Sequence, residues 1–175
     1  MLAGIQMTPL TSMASARARN MTGGMTAANI AAANTAIGMY FSVGDIVYTL
    51  PMDPTAAGSG ANATQDMKNY GMTLAAMSQY AKTIGMMTSS SGIVTAMMDD
   101  ASDGVMDGKM GSMPISMAGM GGMMGGGMMQ ATAGTSGLSN AMSAFIGSAM
   151  NRSGVKAADM QALMDKLAAS NGQIP

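Results

Sequence analysis

Ala63-Thr64-Gln65-Asp66-Met67-Lys68-Asn69-Tyr70-Gly71-Met72-Thr73-Leu74-Ala75-Ala76-Met77-Ser78-Gln79-Tyr80-Ala81-Lys82-Thr83-Ile84 is the stretch on which the fold class turns. Met67, Tyr70, Leu74, Met77, Ala81 and Ile84 recur at alternating spacings of three and four, the period of a narrow apolar stripe on an α-helix. Lys68, Asn69, Gln79 and Lys82 mostly decorate the other faces. A helix over about 63–84 is therefore expected, with its stripe inward.

Working outward toward the N-terminus, Pro51 to Gly60 reads as a loop. Val43-Gly44-Asp45-Ile46-Val47-Tyr48-Thr49-Leu50 has the β-branched content of a strand, but no second strand is evident to pair with it. A short helical turn capped by Asp45 is the preferred reading. Thr26 caps a helix running through Tyr40-Phe41, in which Ile30, Ala33 and Ile37 share one face and Asn29 and Asn34 lie off it. Thr8-Pro9-Leu10 gives an N-cap followed by proline at the first helical position, opening a helix to about Arg19 that stops before Gly23-Gly24.

Toward the C-terminus, Ser89-Ser90-Ser91 offers caps for a helix carrying Ile93, Val94, Met97 and Met98 and ending near Asp103-Gly104. Two helices close the chain. One spans about Ser136 to Met150, with Leu138, Met142, Phe145, Ile146 and Ala149 as its apolar face. The other spans about Ala157 to Ser170, with Met160, Leu163, Met164 and Leu167 inward and Asn171-Gly172 as its stop. The expected fold is all-α, a compact bundle of about five to six helices in a single domain over 1–175, with 110–134 as a long flexible Met/Gly-rich loop.

Composition narrows the chemistry. The chain has 27 Met against two Phe, four Tyr and no Trp, and 24 Gly. A Met/Ala core fills irregular space but specifies packing poorly. The charged fraction is 10%, well below the roughly 25% of ordinary soluble domains. All nine acids are Asp, and the net charge of −1 offers no basic field for a phosphate backbone, so nucleic acid is not an expected partner. With neither Cys nor His there is no thiolate nucleophile, no imidazole base, no disulfide and no zinc site of the usual kind. Ser-His-Asp and Cys-His mechanisms are excluded. The tyrosines Tyr40, Tyr48, Tyr70 and Tyr80 read as core residues whose hydroxyls reach the surface.

Two constellations invite a site. Between Met110 and Asn151 there is no charged residue, and Met117-Ala118-Gly119-Met120-Gly121-Gly122-Met123-Met124-Gly125-Gly126-Gly127-Met128-Met129 lies inside that stretch. Thioethers prefer Cu(I), which makes Met117, Met120, Met123, Met124, Met128 and Met129 a candidate copper set. Met also occupies core positions such as Met67, Met77, Met97, Met142, Met160 and Met164, however, and a chain-wide bias explains the run without a metal. A transmembrane reading is rejected, because the glycine load and Pro114 oppose a stable helix. Asp99, Asp100, Asp103 and Asp107 could supply oxygen ligands to Ca²⁺, but the acid spacing and terminal Glu of an EF-hand are absent. A helix end followed by two Asp-Gly turns is the preferred reading. No cofactor is required by either.

Several phrases carry a resemblance: Thr8-Pro9-Leu10-Thr11-Ser12-Met13-Ala14, Thr26-Ala27-Ala28-Asn29-Ile30-Ala31-Ala32-Ala33-Asn34, Gly44-Asp45-Ile46, Leu50-Pro51, Tyr70 to Gln79, and Asp99 to Gly108. Together they resemble the helical module at the C-terminal end of bacterial secreted proteins and surface lipoproteins that carry Ig-like or carboxypeptidase-regulatory-like domains. The resemblance implies an extracellular or outer-surface bacterial setting and a binding or structural role. It also accounts for the lack of a signal peptide at Met1 to Gln6, since the leader would lie upstream in the parent. The leading expectation is a non-enzymatic structural or interaction module that associates with itself or with neighbouring domains, in the first case as a homo-oligomer. The alternatives are a Met-rich Cu(I)-binding or metal-buffering protein and a membrane-active phage or secretion pore component.

Overall fold

The computed structural model describes residues 4–86, 91–117 and 127–175. Among them are six helices: α1 Pro9–Asn20, α2 Ala27–Tyr40, α3 Gln65–Thr83, α4 Ser91–Ser102, α5 Ser136–Ile146 and α6 Ala157–Ala169. The one sheet among the described residues is a two-stranded antiparallel ribbon, β1 Lys109–Met110 with β2 Met113–Pro114. The fold is all-α, as the helical spacing predicts.

Local chemistry sets the helix starts. Thr26 and Thr64 each accept a hydrogen bond from a first-turn N–H, those of Asn29 and Met67. Thr8 begins α1 differently. Its N–H is taken by the Thr11 hydroxyl, and its own hydroxyl sits 2.6 Å from the Tyr70 hydroxyl on α3. The start of α1 is thereby tied to a helix far away in sequence. Asp45 closes the turn expected after Val43 by accepting from the N–H groups of Val47 and Tyr48. Asp159 performs the reciprocal half of a capping box by accepting from the Lys156 N–H. Ser89 and Ser90, two of the expected caps of α4, lie outside the described residues.

The helices pack as two groups, α2–α1–α4 and α3–α5–α6, with α1 and α5 in the middle of each. α3 joins them by also touching α4. One continuous core runs through both, with Leu10, Met13, Ile37, Met72, Met97, Leu138, Met142, Met160 and Leu167 all buried. Met occupies interior positions on five of the six described helices, α2 being the exception.

Three details depart from the helical pattern. In α3 the buried set is wider than one stripe: every residue from Asn69 to Met77 is buried except the half-buried Leu74. The cause lies in its small residues. A side chain at Gly71 would collide with the carbonyl of Met52, so the 51–55 loop can press directly on the helix. Asn69, expected outside, is buried and donates to the Ser42 carbonyl at 2.7 Å. In α2, Ala33 and Ile37 are buried as expected, but Ile30 is 38% exposed. It sits on the rim of an open cleft between α1, α2 and the Ile5–Gln6 segment. α5 ends at Ile146, and Ala149 is exposed beyond it.

Candidate functional site

The acidic cluster straddles the end of α4: Asp99 and Asp100 lie in its last turn, and Asp103 and Asp107 in the segment where the chain leaves the helix and turns back. Asp103 accepts from Val105 N–H through Oδ1 and from Gly111 N–H through Oδ2. Asp107 accepts from Lys109 N–H. Asp100 Oδ1 accepts from the N–H groups of Asp107 (2.9 Å) and Gly108 (2.7 Å). Three of the four carboxylates are thus engaged with backbone of their own loop, the behaviour that favours Asp in turns. Among the described residues no group of three or more Asp is placed to hold a metal ion.

Asp100 differs from the others. It lies on the inward face of α4 with Ile93, Ala96, Met97 and Ala101, and is 0% exposed. Its Oδ2 is buried without a hydrogen-bond partner among the described residues. Burial is the largest influence on it and pushes its pKa up to about 7; the backbone N–H groups of Gly108, Asp107 and Lys109 oppose the shift, and the Asp107 charge adds to it.

Of the copper set, Met120, Met123 and Met124 lie outside the described residues. Met117 and Met129 are buried, and Met128 is exposed. The two flanks of that run are paired. Met117 N–H donates to Gly127 carbonyl, Met129 N–H donates to Ile115 carbonyl, and Ser116 bridges Met128. Within 110–134, then, the described parts include a ribbon, a short ladder and buried Ile115, Met117, Met129 and Ala133. Alternation explains the burial: in an extended ladder 115 and 117 face one side, and 116 the other.

Tyr40, Tyr70 and Tyr80 are core residues, and burial raises the pKa of each. The first two hydroxyls are not at the surface: Tyr40 donates to the Gly134 carbonyl and Tyr70 to the Ile46 carbonyl. Tyr48 lies outside the core, 56% exposed.

Two surfaces were not legible in the spacing. The first is a groove of about 450 Å³ between the 51–55 loop, α3 and α5, lined by Met52, Pro54, Leu74, Ala75, Phe145 and Met150. It exists because Gly71 admits the loop, and its walls are mainly apolar. The second is the outer side of α2. That helix has no charged residue, and α1 is its main helical neighbour. Ala28, Ala31, Ala32, Thr35 and Met39 are exposed along it, and Ala31, Ala32, Ala36 and Met39 wall a shallow cleft that Pro175 also lines. Lys166 reaches from α6 to the Met39 carbonyl and Ser42 Oγ, satisfying the end of α2, and burial lowers its pKa. No described helix is long and apolar enough to cross a membrane.

In comparisons with protein families, curated proteins and solved structures, no match to this chain is found.

Proposed function

We propose that the chain is a non-enzymatic structural or interaction module of a bacterial surface protein, and that it associates with a second copy of itself through the outer side of α2. The observation that carries this reading is that α2 is apolar and uncharged on the side that faces water. A row of Ala loses no side-chain rotamer entropy when covered, and exposed apolar surface of this kind, Met39 included, favours contact. Two copies related by a two-fold axis bring the same uncharged face together without like-charge repulsion. The extracellular setting is supported by the resemblance of the Thr8–Ala14, Thr26–Asn34 and Asp99–Gly108 phrases to modules of secreted and surface lipoproteins.

Sedimentation velocity over a rising concentration series tests this. The wild-type protein is expected to shift toward dimer, whereas Ala32→Glu stays monomeric with an unchanged circular-dichroism spectrum. Wild-type protein that remains monomeric at the highest concentration overturns self-association.

A further inference from the structure

Asp100 is a carboxyl group at a helical core position. Its neighbours explain what it holds. The segment 103–117 leaves α4, passes over Asp100, forms the β1–β2 ribbon and ends in the ladder with 127–129. Among the described residues of α4, it is Asp100 Oδ1 that grips the inner edge of this segment, through the Asp107 and Gly108 N–H groups. Gly108 has φ +79 and lies against the backbone of Met129 and Gln130, so the loop is wedged between the carboxyl and that segment. The same segment carries residues 172–174. Met106 N–H donates to Gly172 carbonyl at 2.7 Å, Ile174 N–H donates to Gly104 carbonyl at 2.9 Å, and Val105 bridges Gln173.

We propose that residues 103–117 form a proton-linked strap, held shut together with residues 172–174 while Asp100 is neutral and loosened when Asp100 ionises. The geometry states why. As a neutral acid, the side chain can accept both N–H bonds through Oδ1 at no charge cost. Oδ2 has no partner among the described residues in either state, but as an anion the group also places a full charge in the core, with two N–H groups on Oδ1 to offset it. The charged and titratable groups on the surrounding elements do not relieve this. Arg17 on α1 is turned to the Ser102 carbonyl and lies against Gly104. Arg19 on α1, Lys82 on α3 and Lys109 on β1 make no hydrogen bond to Asp100 through their side chains. Asp99 on α4 and Asp103 and Asp107 in the loop are of like charge, and Asp107 disfavours the anion. Tyr40 on α2 donates to Gly134, and Tyr80 on α3 makes no bond to Asp100. The least costly relief is to let the loop move and admit water. Loosening would present Met106, Ile115 and Met117, now buried, to solvent.

The sign follows from the raised value of about 7 in the folded state. The shut state binds a proton that the open state gives up, so closure is strongest in acid, weakens as pH rises from the ordinary Asp range, and levels off once Asp100 is ionised in both states. Hydrogen–deuterium exchange followed by mass spectrometry reads this directly, using protection factors corrected for the intrinsic rate. In wild-type protein, protection of 104–117 and 170–175 is expected to fall roughly tenfold per unit between about pH 4.5 and about pH 7 and then flatten, while that of α3 does not follow. In Asp100→Asn the same peptides are expected to show no such slope. A flat wild-type profile overturns the strap, as does a slope that persists in the variant or one shared equally by α3. If the variant does not fold, the carboxyl carbon resonance of Asp100 in the wild type decides. Titration close to neutrality, in step with the strap amides, supports the proposal, and titration in the ordinary Asp range overturns it.

Discussion

α2 and α3 are both Met- and Ala-containing helices with threonine N-caps, and both hold one glycine against the carbonyl of a loop that follows or precedes them. Gly38 meets Val43 and Gly71 meets Met52. Yet α3 is enclosed through its middle and α2 keeps a bare outer side. α3 carries Asp66, Lys68 and Lys82, and still Asn69 is buried; α2 carries no charge and still exposes Ile30 and Met39. Residue polarity set the depth of neither helix. Neighbours did: α3 touches α4, α5 and α6, whereas α2 leans mainly on α1.

Paired substitutions can break that comparison. The largest effect is expected from truncating one methionine in each helix. Met72→Ala on α3 is expected to destabilise by about 3 kcal/mol through lost burial and a cavity, and Met39→Ala on α2 by less than about 0.5 kcal/mol, both read from urea unfolding midpoints. At concentrations where the protein is monomeric, comparable losses would mean that the outer side of α2 is covered within a single copy. A step smaller, Gly71→Ala is expected to cost about 2–3 kcal/mol because the new Cβ meets backbone that cannot yield locally. Gly38→Ala is expected to cost less, since its Cβ would sit 2.5 Å from the Val43 oxygen, a milder overlap than that at Gly71. The reverse order would show that the Met52 loop, not Val43, is the more pliant. The smallest effect sharpens rather than breaks the contrast: Thr26→Ala and Thr64→Ala should each cost about 1 kcal/mol, because a cap bond depends on the helix end and not on what surrounds the helix.

Much of the architecture was legible. Thr8-Pro9, Thr26 and Asn171-Gly172 mark helix ends close to where the structure places them, because caps and stops are local chemistry. The Asp45 turn was legible for the same reason. What the spacing did not reveal came from distant segments. Nothing near Asn69 announces Ser42, and nothing near Ile30 announces the open rim beside Ile5. Among the acids, the Asp-Gly turns are read directly, but the acidic cluster does not by itself set Asp100 apart from Asp99. The signal was present in its register, since 93, 96, 97 and 100 share a helical face, and a charged residue on that face is unexpected. Alternation at 115 and 117 was also available, but it is hidden by the glycine-rich sequence around so short a ladder.

The pairing of Gly104–Met106 with Gly172–Ile174 has a consequence for how the chain is made. Val105 finds its partner in Gln173, which is synthesised only after α5 and α6. During translation α1, α2 and α4 can find one another as soon as α4 has emerged, because their mutual contacts need nothing later in the chain. The turn after α4 cannot be finished then. Its edge stays open until 172–174 have followed α6 into the fold, so this half of the molecule waits for a late segment to be laced into its middle.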